Sequence, residues 1–292
     1  MKLSGNLMGI VLMTLAMLLI PTVDGLAKYL SGQHSPLYIG WARYAVASMV
    51  VLPFAVFSHG KRIFPQNNLG PHILRTIFLM SAMTLFFLAI ARTPLATAIS
   101  AYFVAPIIAA LLAVIFLKER LTTIKTVAVV LGFSGALIIL RPGMDMDIGV
   151  LLAMGAGAFF AFYVITTRQA SRQSDPIRTL VFQCVVGTLI LTPQAIWAWS
   201  LPAVQDLHLF LTMGCLSALS HILSITAFRY AEASTLAPLV YLELVSASII
   251  GYIFFDDLPD VGIWIGAAVI VASGLLLLKS PINKDAKQSE IS

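Results

Sequence analysis

Charge is what this sequence has least of. Only 11% of its 292 residues are Asp, Glu, Lys or Arg, while 59% are hydrophobic and the mean hydropathy is +0.95. Soluble domains carry about 25% charged residues, so a water-soluble fold is excluded. Cysteine is scarce as well. Cys184 and Cys215 both fall inside apolar runs, where they serve helix packing rather than a disulfide framework. No His-Glu-x-x-His, Gly-x-Ser-x-Gly or Cys-x-x-Cys occurs, so no enzyme activity, cofactor or metal is expected. A P-loop is missing too, which excludes a self-contained ATP-driven pump. The net charge of +5 does not point to nucleic acid, because no loop is long enough to form a binding surface.

What is present is a succession of apolar runs. A bilayer-crossing helix takes about 20 mostly apolar residues, and the runs predict spans at 7–30, 36–57, 72–91, 94–117, 122–140, 148–168, 177–199, 207–229, 234–255 and 261–279. Short breaks rich in Pro, Gly and Ser separate them, such as Arg141-Pro142-Gly143 and Ser174-Asp175-Pro176. The start, Lys2 followed by an apolar stretch, imitates a signal peptide but lacks a small-x-small cleavage site, so it is expected to stay as the first span. A polar tail occupies 280–292.

Basic residues set the orientation. With ten spans and a cytoplasmic N-terminus, fourteen of the eighteen Lys and Arg fall on the inside. These include Lys61, Arg62, Arg75, Lys118, Arg120, Lys125, Arg168 and Arg172. Lys28, Arg43, Arg92 and Arg141 are the remainder, while Asp145, Asp147, Asp206, Asp256, Asp257 and Asp260 fall outside. This is the positive-inside pattern of an inner-membrane protein with both termini cytoplasmic.

The chain also repeats itself. Slid by 140, residues 9–53 meet 149–193, with Lys28 on Arg168, Pro36 on Pro176 and Pro53 on Pro193. Slid by 138, residues 96–119 meet 234–257, with Thr97 on Thr235, Phe116 on Phe254 and Glu119 on Asp257. Five spans per copy is an odd number, so the second copy enters the membrane from the opposite side. The predicted fold is an all-α integral membrane protein of ten transmembrane helices in two inverted five-helix repeats, 1–143 and 144–279, a design of secondary transporters. The corners agree: Lys118-Glu119-Arg120 is basic and inside, Asp256-Asp257 acidic and outside.

Several stretches resemble a known family. Ala105-Pro106, Phe116-Leu117-Lys118-Glu119-Arg120-Leu121, Gly132-Phe133-Ser134-Gly135 and Arg141-Pro142-Gly143 recur in weaker form as Leu242-Glu243-Leu244, the Gly251 to Pro259 run and Gly274. In this order they resemble the drug/metabolite transporter superfamily, EamA type. The second copy departs from the commoner pattern, which has proline at Leu244 and Gly-Glu at Asp256-Asp257. Asp24-Gly25-Leu26-Ala27-Lys28-Tyr29, Trp41-Ala42-Arg43-Tyr44 and Ala237-Pro238-Leu239-Val240-Tyr241 are similar to a branch with riboflavin importers and S-adenosylmethionine carriers. The resemblance implies uptake of riboflavin or a similar heterocyclic metabolite; other members export amino acids.

Ionisable groups at membrane depth cost about 2.5–3.5 kcal/mol on insertion scales and usually face the bundle interior or water. Asp24 and Lys28, four apart on one helix face beside Pro21, are a gate or substrate contact, or an orienting pair. Glu243, mid-span, is a proton-coupling or cation-recognising group, or a carboxyl bonded to a neighbouring helix. Arg43 binds an anionic group or pairs with Asp24; His221 donates to substrate or packs. Trp41, Tyr44, Tyr102 and Tyr241 offer aromatic walls for a flat ring, or anchors at the lipid interface. Gly262 with Gly266, and Gly5 with Gly9, form small-xxx-small faces for packing within the chain or for a homodimer. The expected partners are therefore a small-molecule substrate and membrane lipid.

Overall fold

Proline and capping residues mark where these apolar runs begin to coil. In a computed structural model the described residues are 5–30, 32–60, 62–66, 68–90, 92, 101–140, 148–255 and 261–277. They form helices and no strand. Helices α1 (Gly5–Leu30), α2 (Pro36–His59), α3 (Leu69–Ile90), α4 (Ala105–Leu117) and α5 (Thr123–Leu140) come first. Then follow α6 (Ile148–Gln173), α7 (Pro176–Trp197), α8 (Leu207–Tyr230), α9 (Leu242–Phe255) and α10 (Val261–Leu277). Pro36 and Pro176 open α2 and α7 at positions where a missing N–H costs nothing. Asp175 caps α7 by accepting from Ile177 N at 2.9 Å and Arg178 N at 3.4 Å.

Among the described residues the predicted spans match these helices at most ends, but the fourth and ninth are interrupted. The ninth span is not continuous: a single α-helical turn, Ala233–Leu236, passes into a 3-10 stretch, Ala237–Tyr241, before α9 begins. Pro238 lies in that stretch and cannot donate to an α-helical bond. Glu243 consequently stands in the first turn of α9 rather than deep within a helix. A comparable turn at 103–104 precedes α4. Residues 93–100, the loop at Arg141, the Asp256–Asp260 corner, the tail and the Lys28 side chain lie outside the described residues.

Six helical segments among the described residues are long and apolar enough to cross a bilayer, and four shorter ones are apolar in the main. Their outward faces carry large apolar side chains, with Phe57 91% and Trp197 86% exposed, a surface that lipid would cover. Inside the bundle, α1 packs on α8, α3 on α6, α2 on α7 and α8, α5 on α10, α1 on α9 and α4 on α6. Each of these pairs joins a helix before residue 141 to one after it.

Small residues allow the tightest of these approaches. A β-carbon on Gly135 would stand 2.8 Å from the Gly266 carbonyl, so the α10 small-residue face is used within the chain. On Gly157 it would lie 2.5 Å from the backbone oxygen of Tyr102. Gly157→Val is expected to cost about 2–3 kcal/mol by overpacking. A thermal melt in detergent should register it as a loss of several degrees, whereas Gly60→Ala, with open space beside it, should cost less despite its positive φ.

Candidate functional site

Pro21 deprives α1 of one backbone donor, and Asp24 follows within the next turn. Its carboxylate lies 3.7 Å from Arg43 Nη1 on α2. Arg43 is held from the other side by α8, its Nε donating to Ser217 Oγ at 2.7 Å. The Arg43 side chain is only 11% exposed and that of Asp24 63%, so the arginine is gripped while the carboxylate faces open space. Arg43 is thus a partner of Asp24, while the Lys28 side chain, the other candidate, lies outside the described residues.

Glu243 belongs to the same neighbourhood. It is half-buried in the first turn of α9 and lies within electrostatic range of Asp24, Arg43 and Tyr102. It makes no hydrogen bond or ion pair with any described residue. A carboxylate at a helix N-terminus is favoured by the helix dipole, which helps an unpaired acid persist there. Tyr102 stands beside it among rings, with centroids 5.3 Å from Phe86, 5.5 Å from Phe160 and 5.8 Å from Phe103. Two carboxylates, one arginine and an aromatic wall therefore share one space.

The other candidates divide. Tyr44 and His221 share a 3.3 Å hydrogen bond in the buried interior, next to Arg43 in sequence and one turn beyond Ser217 respectively. Tyr241 is fully buried, stacked 5.6 Å from Phe103 with its hydroxyl donating to the Phe103 carbonyl at 3.3 Å, so it supports the wall rather than forming it. Trp41 donates to Thr192 Oγ1 at 3.2 Å and joins Tyr38 and Trp199 in an aromatic group. That group flanks a contact absent from the sequence reading: His34, 2.7 Å from Ser200 Oγ and 3.4 Å from Asp206 Oδ2.

A second set of charges lies where the connection after α4 meets the end of α6 and the turn after α8. Glu119 accepts from the backbone N–H groups of Ala233 (3.1 Å) and Ser234 (2.9 Å), and Arg168 Nε lies 3.8 Å from it. Arg168 also donates to the Phe228 carbonyl. Lys125 pairs with Glu232 and donates to Ser234 Oγ at 3.0 Å. Glu119, Lys125 and Arg168, read from sequence as inside loop or helix-end residues, are buried. A cleft of about 400 Å³ between α3 and α7 is separate from both sets; its Thr84 donates to Gln194 Oε1 at 3.3 Å.

An all-helical bundle with an apolar exterior, buried ion pairs and ionisable side chains within its membrane-length helices fits a multi-pass membrane protein of the transporter class. Comparison with known proteins makes the class particular. The EamA-like transporter family matches twice, over residues 7–141 and 147–279, and the chain belongs to that family. It is 30% identical over 268 residues to an S-adenosylmethionine uptake transporter of Rickettsia felis, covering 91% of each chain. It is 27% identical over 290 residues to a riboflavin transporter of Vibrio cholerae, covering 98% of this chain and 97% of that one. A threonine/homoserine exporter of Salmonella typhimurium is 28% identical over 277 residues, with 90% and 89% covered. One solved crystal structure superposes with a TM-score of 0.80 at 15% identity, over 94% of this chain and 99% of the other, sharing the fold.

Proposed function

We propose that this protein is a secondary carrier of the inner membrane, taking up a flat heterocyclic metabolite of the riboflavin or S-adenosylmethionine kind. Two inverted repeats, 1–143 and 144–279, give it alternating access. One observation carries the reading: residues meet their own counterparts. Ser48 Oγ lies 3.2 Å from Thr188 Oγ1, 140 positions on, and Phe103 stacks on Tyr241, 138 positions on. Those are the two offsets at which the sequence repeats. Self-meeting pairs are what a two-fold axis between the halves would produce, and the helix breaks before α4 and α9 fall at matching places near it. Discontinuous helices at a repeat interface are where such carriers bind solute.

In this reading the solute ring stacks on Tyr102 with Phe86 and Phe160 behind it, and its positive or donor groups meet Glu243 and Asp24. Arg43 fixes Asp24 and takes an anionic group if the solute has one. The Glu119 end is cytoplasmic by the distribution of Lys and Arg, so its ion pairs close the pathway inward while Asp24 stays exposed outward. Both termini and the tail 280–292 lie in the cytoplasm.

Growth rescue tests this. In strains that must import riboflavin or S-adenosylmethionine, expression of the protein is expected to restore growth on low external supply of at least one. Rescue of neither, together with raised tolerance to external threonine or homoserine, would assign export instead. Chemical conversion of the solute without movement would indicate a membrane enzyme.

A further inference from the structure

Arg75 is among the largest side chains of the protein that have no exposed surface at all. Its Nε donates to Thr167 Oγ1 at 3.2 Å, Nη1 to the Thr179 carbonyl at 3.3 Å and Nη2 to the Tyr163 hydroxyl at 3.3 Å. The guanidinium carbon stands 5.2 Å from the centre of the Tyr163 ring. All of these partners are neutral. No carboxylate among the described residues forms an ion pair with Arg75. A guanidinium has five N–H donors, so donors remain after these three bonds. Burying a charge without a counter-ion costs several kcal/mol.

Its surroundings are short of partners in the same way. His72, one turn earlier on α3, is fully buried, and neither ring nitrogen has a hydrogen-bond partner. The His72 ring packs 5.9 Å from Phe182 on α7. Gln183, next in the chain and one turn beyond Thr179, is fully buried with both amide atoms unpartnered. Water alone would satisfy an imidazole and an amide but would leave the guanidinium charge uncompensated. We propose that the α3–α6–α7 interface is a binding site for a small anion, held by Arg75 with donors from His72 and Gln183. Because Arg75, His72 and Gln183 have no exposed surface, the ligand is a small one, a halide or a single carboxylate group. This site is distinct from the Asp24–Arg43–Glu243 cluster and does not depend on the solute proposed for it.

The purified full-length protein in detergent provides the test, at constant ionic strength with gluconate as the oversized counter-anion. Replacing gluconate by chloride, from about 1 to about 300 mM, is expected to raise Tm by about 5 °C for an ion bound at millimolar affinity. Arg75→Gln should abolish that rise, and Gln183→Leu should shift its midpoint to about tenfold higher chloride. Should Arg75→Gln fail to fold, Gln183→Leu alone carries the comparison. A response to acetate as well as chloride would extend the site to a solute carboxylate, and a response to chloride only would restrict it to halide; both support it. A wild-type Tm indifferent to the anion would overturn the proposal. So would parallel shifts in the wild type and in Gln183→Leu.

Discussion

Glu243→Gln lowers uptake of a cationic solute by about ten- to a hundredfold, while the amount of protein in the membrane stays the same. The size follows from the interaction that is lost. A contact between a charged pair contributes about 1.5–3 kcal/mol, and each 1.4 kcal/mol is a factor of ten in affinity. The substitution should leave the fold intact because Glu243 makes no hydrogen bond or ion pair with a described residue. Only its favourable position at the start of α9 is lost, about 0.3–1 kcal/mol. Asp24→Asn behaves differently. Asp24 is already paired with Arg43, so its loss frees a cation beside the solute and also loosens the contact between α1 and α2. Initial-rate uptake across a range of solute concentrations, with a thermal melt of each protein, separates the two: Glu243→Gln raises KM and lowers Tm by no more than about 1–4 °C, whereas Asp24→Asn lowers Tm further. For an uncharged solute the Glu243→Gln effect should shrink to a few-fold, so the variant also reports the charge of what is carried.

Glu119→Gln should be the most destabilising of the charge substitutions, about 3–5 kcal/mol, the usual cost of removing one partner from a buried pair. Glu119 does two jobs at once: it accepts from two backbone N–H groups at the start of the 233–236 turn and it faces Arg168. A glutamine retains one acceptor oxygen and no charge, which leaves Arg168 buried beside a neutral group. At about 2–4 °C per kcal/mol for a chain of this size, Tm should fall by roughly 10 °C. Arg120→Gln, at an exposed neighbouring position, serves as the control and should move stability by less than about 0.5 kcal/mol. The double variant Glu119→Gln/Arg168→Gln should be more stable than the two single losses added together, because the stranded charge is gone.

These two carboxylates also mark how far the sequence could be read. Spans were legible because bilayer crossing demands long apolar runs, and Pro36, Pro176 and the Ser174-Asp175-Pro176 break marked helix starts closely. Asp24 and Arg43 stood out because isolated charges in apolar runs are costly, and the structure pairs them. Glu119 did not stand out. Within Lys118-Glu119-Arg120 it has the look of a solvated corner, and its partners lie more than a hundred positions away at Ala233 and Ser234. Local pattern carries no trace of such a contact. Arg75, Lys125 and Arg168 were equally disguised, since the positive-inside count assigns a residue to one side of the membrane without saying whether its long side chain turns back into the bundle. The break before α9 had a visible cue in Pro238, but a continuous apolar run outweighed it. Tyr102 and Tyr241 read alike as aromatic residues. Only packing separates the one among rings beside Glu243 from the one whose hydroxyl is committed to the Phe103 carbonyl.

Passage of a solute across the protein past Asp24, Arg43 and Glu243 is tested most directly by reconstitution. Purified protein in liposomes preloaded with unlabelled riboflavin or S-adenosylmethionine should accumulate the matching radiolabelled compound from outside, saturably and without ATP, and the Glu243→Gln protein should do so far more slowly for cationic S-adenosylmethionine and a few-fold more slowly for uncharged riboflavin. Liposomes that take up no more label than empty vesicles for either compound, or an equal rate in the variant, would contradict it.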